Sequence, residues 1–455
     1  MAQGVRRSVC VLFFACLSIA PLFAQETPQE TPDENPFAFG LSLGIGSQSY
    51  NDPGGVVTYQ SLSLSPDLAF GPFGVGLSIT LNYRFNNGQF EVRALDWVPT
   101  PFTFANFLTV YLGKINYVRW GLKGEPLFIK AGSFDDAAFG NGFIMMGYSN
   151  MLFLPGIRLF GLQFDLDGAL FDFPYMGIQT VVGNFAALDV LGGRLFARPL
   201  AWMDVPVLKD LQIGGTFVVD TNPALYAATT AAAAPISVFG GDVLLPIVNL
   251  PFFSLATYGD VASIEGRSIG GNIGLGGRIM GIFTYGAQAR LLGPNFIPTY
   301  FGPTYDLFRA QQFDAVQQAS GTTTVMGWLA TLGTSFLDDR VVFNVGMDGP
   351  IGAPYPGAVR GDPEYALNYP HLQGILYLAE GIVPGFSFKF TYDKKGIGSW
   401  GDLISAENAA IQGRLDYRTG PAVISFIYLL RYDPNATGPN PWVVTSGIES
   451  SIKLF

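Results

Sequence analysis

Residues 411–432 read IQGRLDYRTGPAVISFIYLLRY, and the rest of the chain is best interpreted outward from them. Ile411, Gly413, Leu415 and Tyr417 alternate with Gln412, Arg414, Asp416 and Arg418. After Thr419-Gly420-Pro421 the alternation resumes, with Ala422, Ile424, Phe426, Tyr428, Leu430 and Tyr432 on one face. A period of two sends successive side chains to opposite sides of an extended strand. Gly-Pro between two such runs is turn chemistry, since glycine tolerates positive φ and proline has no N–H for a ladder. The stretch is a hairpin, greasy and aromatic on one face and charged on the other. A soluble sandwich would bury the greasy face against a second sheet. A transmembrane barrel would turn it toward lipid and keep the charges in a wet lumen.

Composition favours the barrel. Of 455 residues, 49% are hydrophobic and only 13% charged, and the mean hydropathy is +0.31, values closer to a membrane protein than a soluble one. Yet 57 glycines and 31 prolines punctuate the chain too often for a bundle of spanning helices. Residues 243–259 are uncharged but interrupted by Pro246 and Pro251; residues 137–157 are broken by Gly140, Gly142, Gly147 and Pro155. Without spanning helices, a closed barrel is the other way to satisfy every backbone group in lipid.

Residues 1–24 have the form of a secretory signal peptide, with Arg6 and Arg7 before an apolar run and Ala24 at the expected cut. Export through the Sec pathway is expected. Residues 25–36 (QETPQETPDENP) form an acidic, proline-rich leader expected to be disordered. The only cysteines, Cys10 and Cys16, fall inside the signal. The mature chain then has no disulfide, thiolate nucleophile or Cys-ligated metal. Loss of Arg6 and Arg7 takes the formal charge from −10 to −12, which argues against nucleic acid as a partner.

Along the mature chain, Phe37, Phe39, Leu41, Leu43 and Ile45 alternate with small residues, and Phe73, Val75, Leu77, Ile79, Leu81, Tyr83 and Phe85 alternate with Gly74, Gly76, Ser78, Thr80, Asn82 and Arg84. The second run ends at Asn86-Asn87-Gly88, a hairpin signal. Small residues opposite large ones suit an inner face that stays open or accommodates a neighbouring loop. Residues 127–133, 159–167, 190–198 and 211–220 are plausible strands. Residues 134–156 do not alternate, and fit either a loop folded into the lumen or two strands bent by glycines. From Arg267 onward, short and long connections take turns, the pattern of barrels with short periplasmic turns and longer outer loops. The expectation is an all-β fold: one transmembrane antiparallel β-barrel over residues 37–455, with about eighteen strands in a range of roughly sixteen to twenty.

With its signal peptide, dyad-period strands, loop-length pattern and terminal Phe455, the chain resembles Gram-negative-type outer-membrane β-barrels of the porin class. The resemblance implies residence in the bacterial outer membrane, outer-membrane lipid as the surroundings, and insertion by the barrel-assembly machinery. Phe455 lies one residue out of phase with Trp442, Val444, Ile448, Ile452 and Leu454.

Enzymatic chemistry finds no support. The single histidine, His371, has no Ser or Asp partner in a local motif and reads as a solvated rim residue. Neither a metal site nor a cofactor motif is expected. If apolar positions face lipid, strand phase sends Arg84, Lys130, Arg278, Arg290, Lys389, Arg414, Arg418, Arg431 and Lys453 to the lumen. Asp165, Asp167, Asp220, Asp393, Asp416 and Glu449 join them. The basic excess predicts a weak preference for anions. Against it stands pairing that merely braces the wall, Lys389 with Asp393 and Asp416 with Arg414 or Arg418. In the excursion over 293–324, prolines stiffen Phe296, Tyr300, Phe301 and Tyr305, and 306–319 fits a short helix. Folded inward it would gate the pore; an outer surface loop is the more ordinary reading. The function that follows is passive passage of small solutes. Its rivals are a carrier of hydrophobic substrates such as fatty acids, with 134–156 as plug or lateral gate, and a non-conducting structural or adhesive barrel.

Overall fold

Each strand bonds antiparallel to a neighbour, and the first closes on the last, with Ser42 opposite Lys453 through Gly46 opposite Glu449. The ring therefore needs no free edge at its seam. This computed structural model describes residues 37–52, 55–154, 156–203, 205–226, 233–317, 324–337, 340–352, 370–405, 407–420, 422–432 and 442–453. The signal-peptide and leader expectations over 1–36, and Phe455, lie outside the described residues.

Among the described residues the ring has twenty strand positions rather than about eighteen. Phe73–Leu77 and Ile79–Asn86 are one crossing interrupted at Ser78. Gln89–Val92 and Ile115–Trp120 share the next position, the first beside Ile79–Asn86 and the second beside Phe73–Leu77. The undercount has an identifiable source. Residues 243–259, an interrupted helix candidate by composition, belong to two strands, Ile236–Leu250 and Phe253–Ile264, hinged at Pro251 and Phe252. A register shift between Pro246 and Val248 hides their alternation.

The deciding hairpin forms as read: Ala409–Thr419 pairs with Ala422–Tyr432, placing Leu415 opposite Phe426 and Tyr417 opposite Ile424. The apolar phase points outward around the ring. Ile269, Ile273, Leu275, Leu291, Met326 and Leu332 are exposed, while Ser268, Arg290, Thr331 and Asn344 in the other phase are buried. The described strands make one sheet, so no second sheet covers the greasy rows and the sandwich is excluded.

Two excursions fold into the ring. Residues 133–154 and 156–160 form a loop between Gly132 and Gly161, with single bridges from Ala137 to Tyr148 and from Met145 to Phe301. The lumenal loop, not a pair of bent strands, is what the glycines serve. Residues 293–317 also turn inward, and their helix α1, Tyr305–Gln317, buries Tyr305, Phe308, Arg309 and Gln312. The outer-surface expectation for this segment is overturned. Its Tyr305, Asp306 and Arg309 find partners inside the barrel. A second helix, α2 (Phe104–Leu112), was not anticipated; it lies earlier in the chain, in an excursion between Val92 and Ile115. No helix among the described residues is long and apolar enough to cross a membrane.

Candidate functional site

A ring of this many strands is too wide for its wall side chains to fill, and the two excursions pack together inside it. Glycines in the wall make the room: a Cβ at Gly192 would overlap the Phe139 ring, and one at Gly270 would overlap Phe296. Phe143 stacks on Phe296 with centroids 5.3 Å apart. Tyr300, Phe301 and Tyr305 sit edge to face or tilted within 5.6 Å of one another. All four aromatic residues singled out for the excursion, Phe296, Tyr300, Phe301 and Tyr305, are buried in this cluster with Phe134, Phe139, Met145 and Tyr148. Burial of several aromatic rings at once is a large apolar contribution, so the two segments form a single plug.

A polar latch ties the plug to the wall. The Arg309 guanidinium lies 2.8 Å from Asp189, 2.6 Å from Asp220 and 3.4 Å from Asp306. Tyr305 donates to Asp220 at 2.6 Å, and Tyr148 donates to Asp306 at 3.2 Å. Three carboxylates thus share one cation away from water. Burial pushes Asp306 up to about 7, with Asp189 and Asp220 adding to the shift and Arg309 opposing it. The other end of the plug is held where Lys123 pairs with Asp136 at 2.8 Å. Asn150 adds bonds from its Nδ2 to the carbonyls of Gly132 and Gly183. Lys395, just beyond Phe386–Lys394, reaches over α1 to within 4.5 Å of the Phe308 ring centroid. The helix therefore lies across the lumen at the end carrying the longer loops.

The charged residues assigned by phase take up distinct surroundings. Arg84 pairs with Glu91 at 2.8 Å. Arg290 is buried and pairs with Asp348 at 2.7 Å. Lys130 is half-buried, opposite Gln163 in the ladder, whereas Arg278 is exposed near a short turn. Arg414 meets Asp416 at 2.9 Å, the pairing expected, and Arg418 meets Glu380 at 2.6 Å. Lys389 does not pair with Asp393; it meets Asp135 of the plug at 3.2 Å. Asp393 turns instead to His371, 3.3 Å away, and to Gln373 at 2.9 Å. His371 is correspondingly no solvated rim residue: its other nitrogen lies 3.2 Å from Asp348. Strand pairing explains this, because Asp348 is opposite His371 and Gln373 opposite Asp393. The side chain of Arg431 lies outside the described set.

Two buried arginines escaped the sequence reading. Arg194 is buried against Asp242 at 2.5 Å and bonds Gln179 and Gln212; phase on its strand, with Leu195 turned outward, was signal enough to find it. Arg309 had no such signal, because its wall partners lie 89 and 120 residues away.

No family model matches the chain, and no curated protein does. Among solved structures, matches of low similarity run over most of the chain. Pseudomonas aeruginosa OccK2 (OpdF), solved in complex with glucuronate, is 11% identical over 92% of this chain and 98% of that one, with a TM-score of 0.36. Pseudomonas aeruginosa OccK5 (OpdH) is 8% identical over the same shares, also with a TM-score of 0.36.

Proposed function

We propose that this protein is an outer-membrane channel through which small polar solutes diffuse along an off-centre passage beside the plug. The division of the inner wall carries this reading. On one side Asp189, Arg194 and Asp220 are buried beneath the plug. On the other, the side chains of Arg84, Lys389, Arg414 and Arg418 remain between 30% and 49% exposed. Half-exposed charges on the inner face of a ring with an apolar outer face are what a water-filled passage through lipid requires. Export, outer-membrane lipid as surroundings and insertion by the barrel-assembly machinery belong to the same reading.

The passage is lined by Arg84, Lys389, Arg414, Asp416 and Arg418, with Arg278 toward one mouth. Pairing with Glu91, Asp135, Asp416 and Glu380 offsets most of the basic charge, so the preference for anions is weak. Purified protein in a planar bilayer under a KCl gradient tests both parts. Discrete conductance steps are expected, with a small reversal potential of anionic sign. A cationic sign would remove the anion preference, and absence of conductance would remove the channel. The plug favours a second reading, a barrel that does not conduct, and the same recording decides between them.

A further inference from the structure

The excursion bearing α2 leaves the wall at mid-height, not at a rim. Arg93 donates its N–H to the Asn82 carbonyl, and Ser78 donates to the Lys114 carbonyl, so both ends are pinned to the middle of the crossing formed by Phe73–Leu77 and Ile79–Asn86. A segment starting there has two destinations, the lumen or the bilayer.

Its chemistry separates them. Residues 97–113 contain no charged side chain. The charges are at the neck, where Arg93 pairs with Asp96, and Lys114 donates to the Asp96 carbonyl at 2.9 Å while lying 3.8 Å from the Trp97 ring centroid. Beyond the neck, polar side chains turn back on the excursion's own backbone. Thr100 donates to Val98, Asn106 to Pro101, Thr109 to Ala105 and Tyr111 to Trp97, while Thr103 accepts from the Asn106 N–H as the helix cap. A helix in an aqueous lumen would offer such groups to water; one in hydrocarbon must satisfy them internally. No residue of α2 is buried by protein, and Phe102 and Phe104 are 77% and 75% exposed.

The neighbouring wall is also low. Leu127–Gly132, Gly161–Asp167 and Met176–Val182 have six or seven residues each. At roughly 3.3 Å per residue and a tilt of about 40°, such strands rise only about 15–18 Å, against an apolar band of about 25 Å. The belt is incomplete beside the point where α2 emerges.

We propose that residues 97–113 lie outside the barrel among the acyl chains of the bilayer, with α2 extending the apolar belt over the low wall. This rests on the outer-membrane reading, and its test separates the two. Single cysteines replace Phe102, Phe104, Ile273, Leu332 or Arg414 in full-length protein carrying Cys10→Ser and Cys16→Ser. Each is nitroxide-labelled and reconstituted in phosphatidylcholine vesicles, with folding checked by a heat-dependent gel shift. Collision with oxygen reports hydrocarbon; collision with a water-soluble nickel chelate reports water. Labels at 102 and 104 are expected to match those at 273 and 332, favouring oxygen at least threefold over the label at 414. Nickel access at 102 and 104, with 273 and 332 still in lipid, overturns the inference alone. Nickel access at 273 and 332 as well overturns the membrane reading and the inference with it. Phe102 precedes the helix, so its label preserves the test if Phe104→Cys fails to fold.

Discussion

Arg309 is 1% exposed and faces Asp189, Asp220 and Asp306, so removing it leaves buried carboxylates with no cation. Truncating one partner of a buried pair costs about 3–5 kcal/mol. Arg309→Met is expected to loosen the plug by that order while leaving the ring's strand content unchanged, seen as raised conductance with an unaltered far-ultraviolet spectrum. Asp306 makes the latch pH-dependent. Its raised value, about 7 against an ordinary 3.8, means the plugged state holds a proton that an opened state releases. Stabilisation of the plug is complete below the ordinary value and is lost as pH climbs through about 7. Conductance is therefore expected to rise between pH 4 and 7 and level off above, and Asp306→Asn should flatten the profile. A profile unchanged by Asp306→Asn would show that another group controls opening. Across the passage, Lys389→Glu places like charges at the contact with Asp135. It should shift the reversal potential toward cations without affecting the latch.

At the scale of elements, the plug depends on wall positions that lack a side chain. Gly270→Val would collide with the Phe296 ring and Gly192→Leu with Phe139. Each is expected to expel its aromatic partner and raise conductance, while the outer face keeps its alternation. Protease sensitivity of residues 133–160 in the reconstituted barrel should rise in parallel. The helix at Tyr305–Gln317 was legible from the chain, since 306–319 has helical composition after a proline-rich run. Its location was not legible. Asp306 and Arg309 look like solvated residues until Asp189 and Asp220 are brought beside them. Likewise 134–156 showed only that it does not alternate, because its side chains answer to the plug and not to a strand.

The described strands form a closed ring whose backbone groups pair around the circumference, and closed rings of this kind resist opening because they present no edge to fray. The protein is expected to migrate differently on detergent gels before and after boiling, with a β-type spectrum lost only on heating. Identical migration under both conditions would contradict closure. The outward and inward faces were determined by the sequence itself, because the two-residue period is local: each side chain's direction follows from its position along its own strand. That is why the hairpin at 411–432 and the strands from Ser268 onward could be read without a structure. Strand number was less secure where Pro246 and Pro251 masked the period. What fills the ring was decided by tertiary structure alone. Tyr148 reaches Asp306 across 158 residues and Tyr305 reaches Asp220 across 85. Contacts that distant leave no periodic trace, since they depend on where closure of the sheet places its inner surface and not on the order of residues along any one strand.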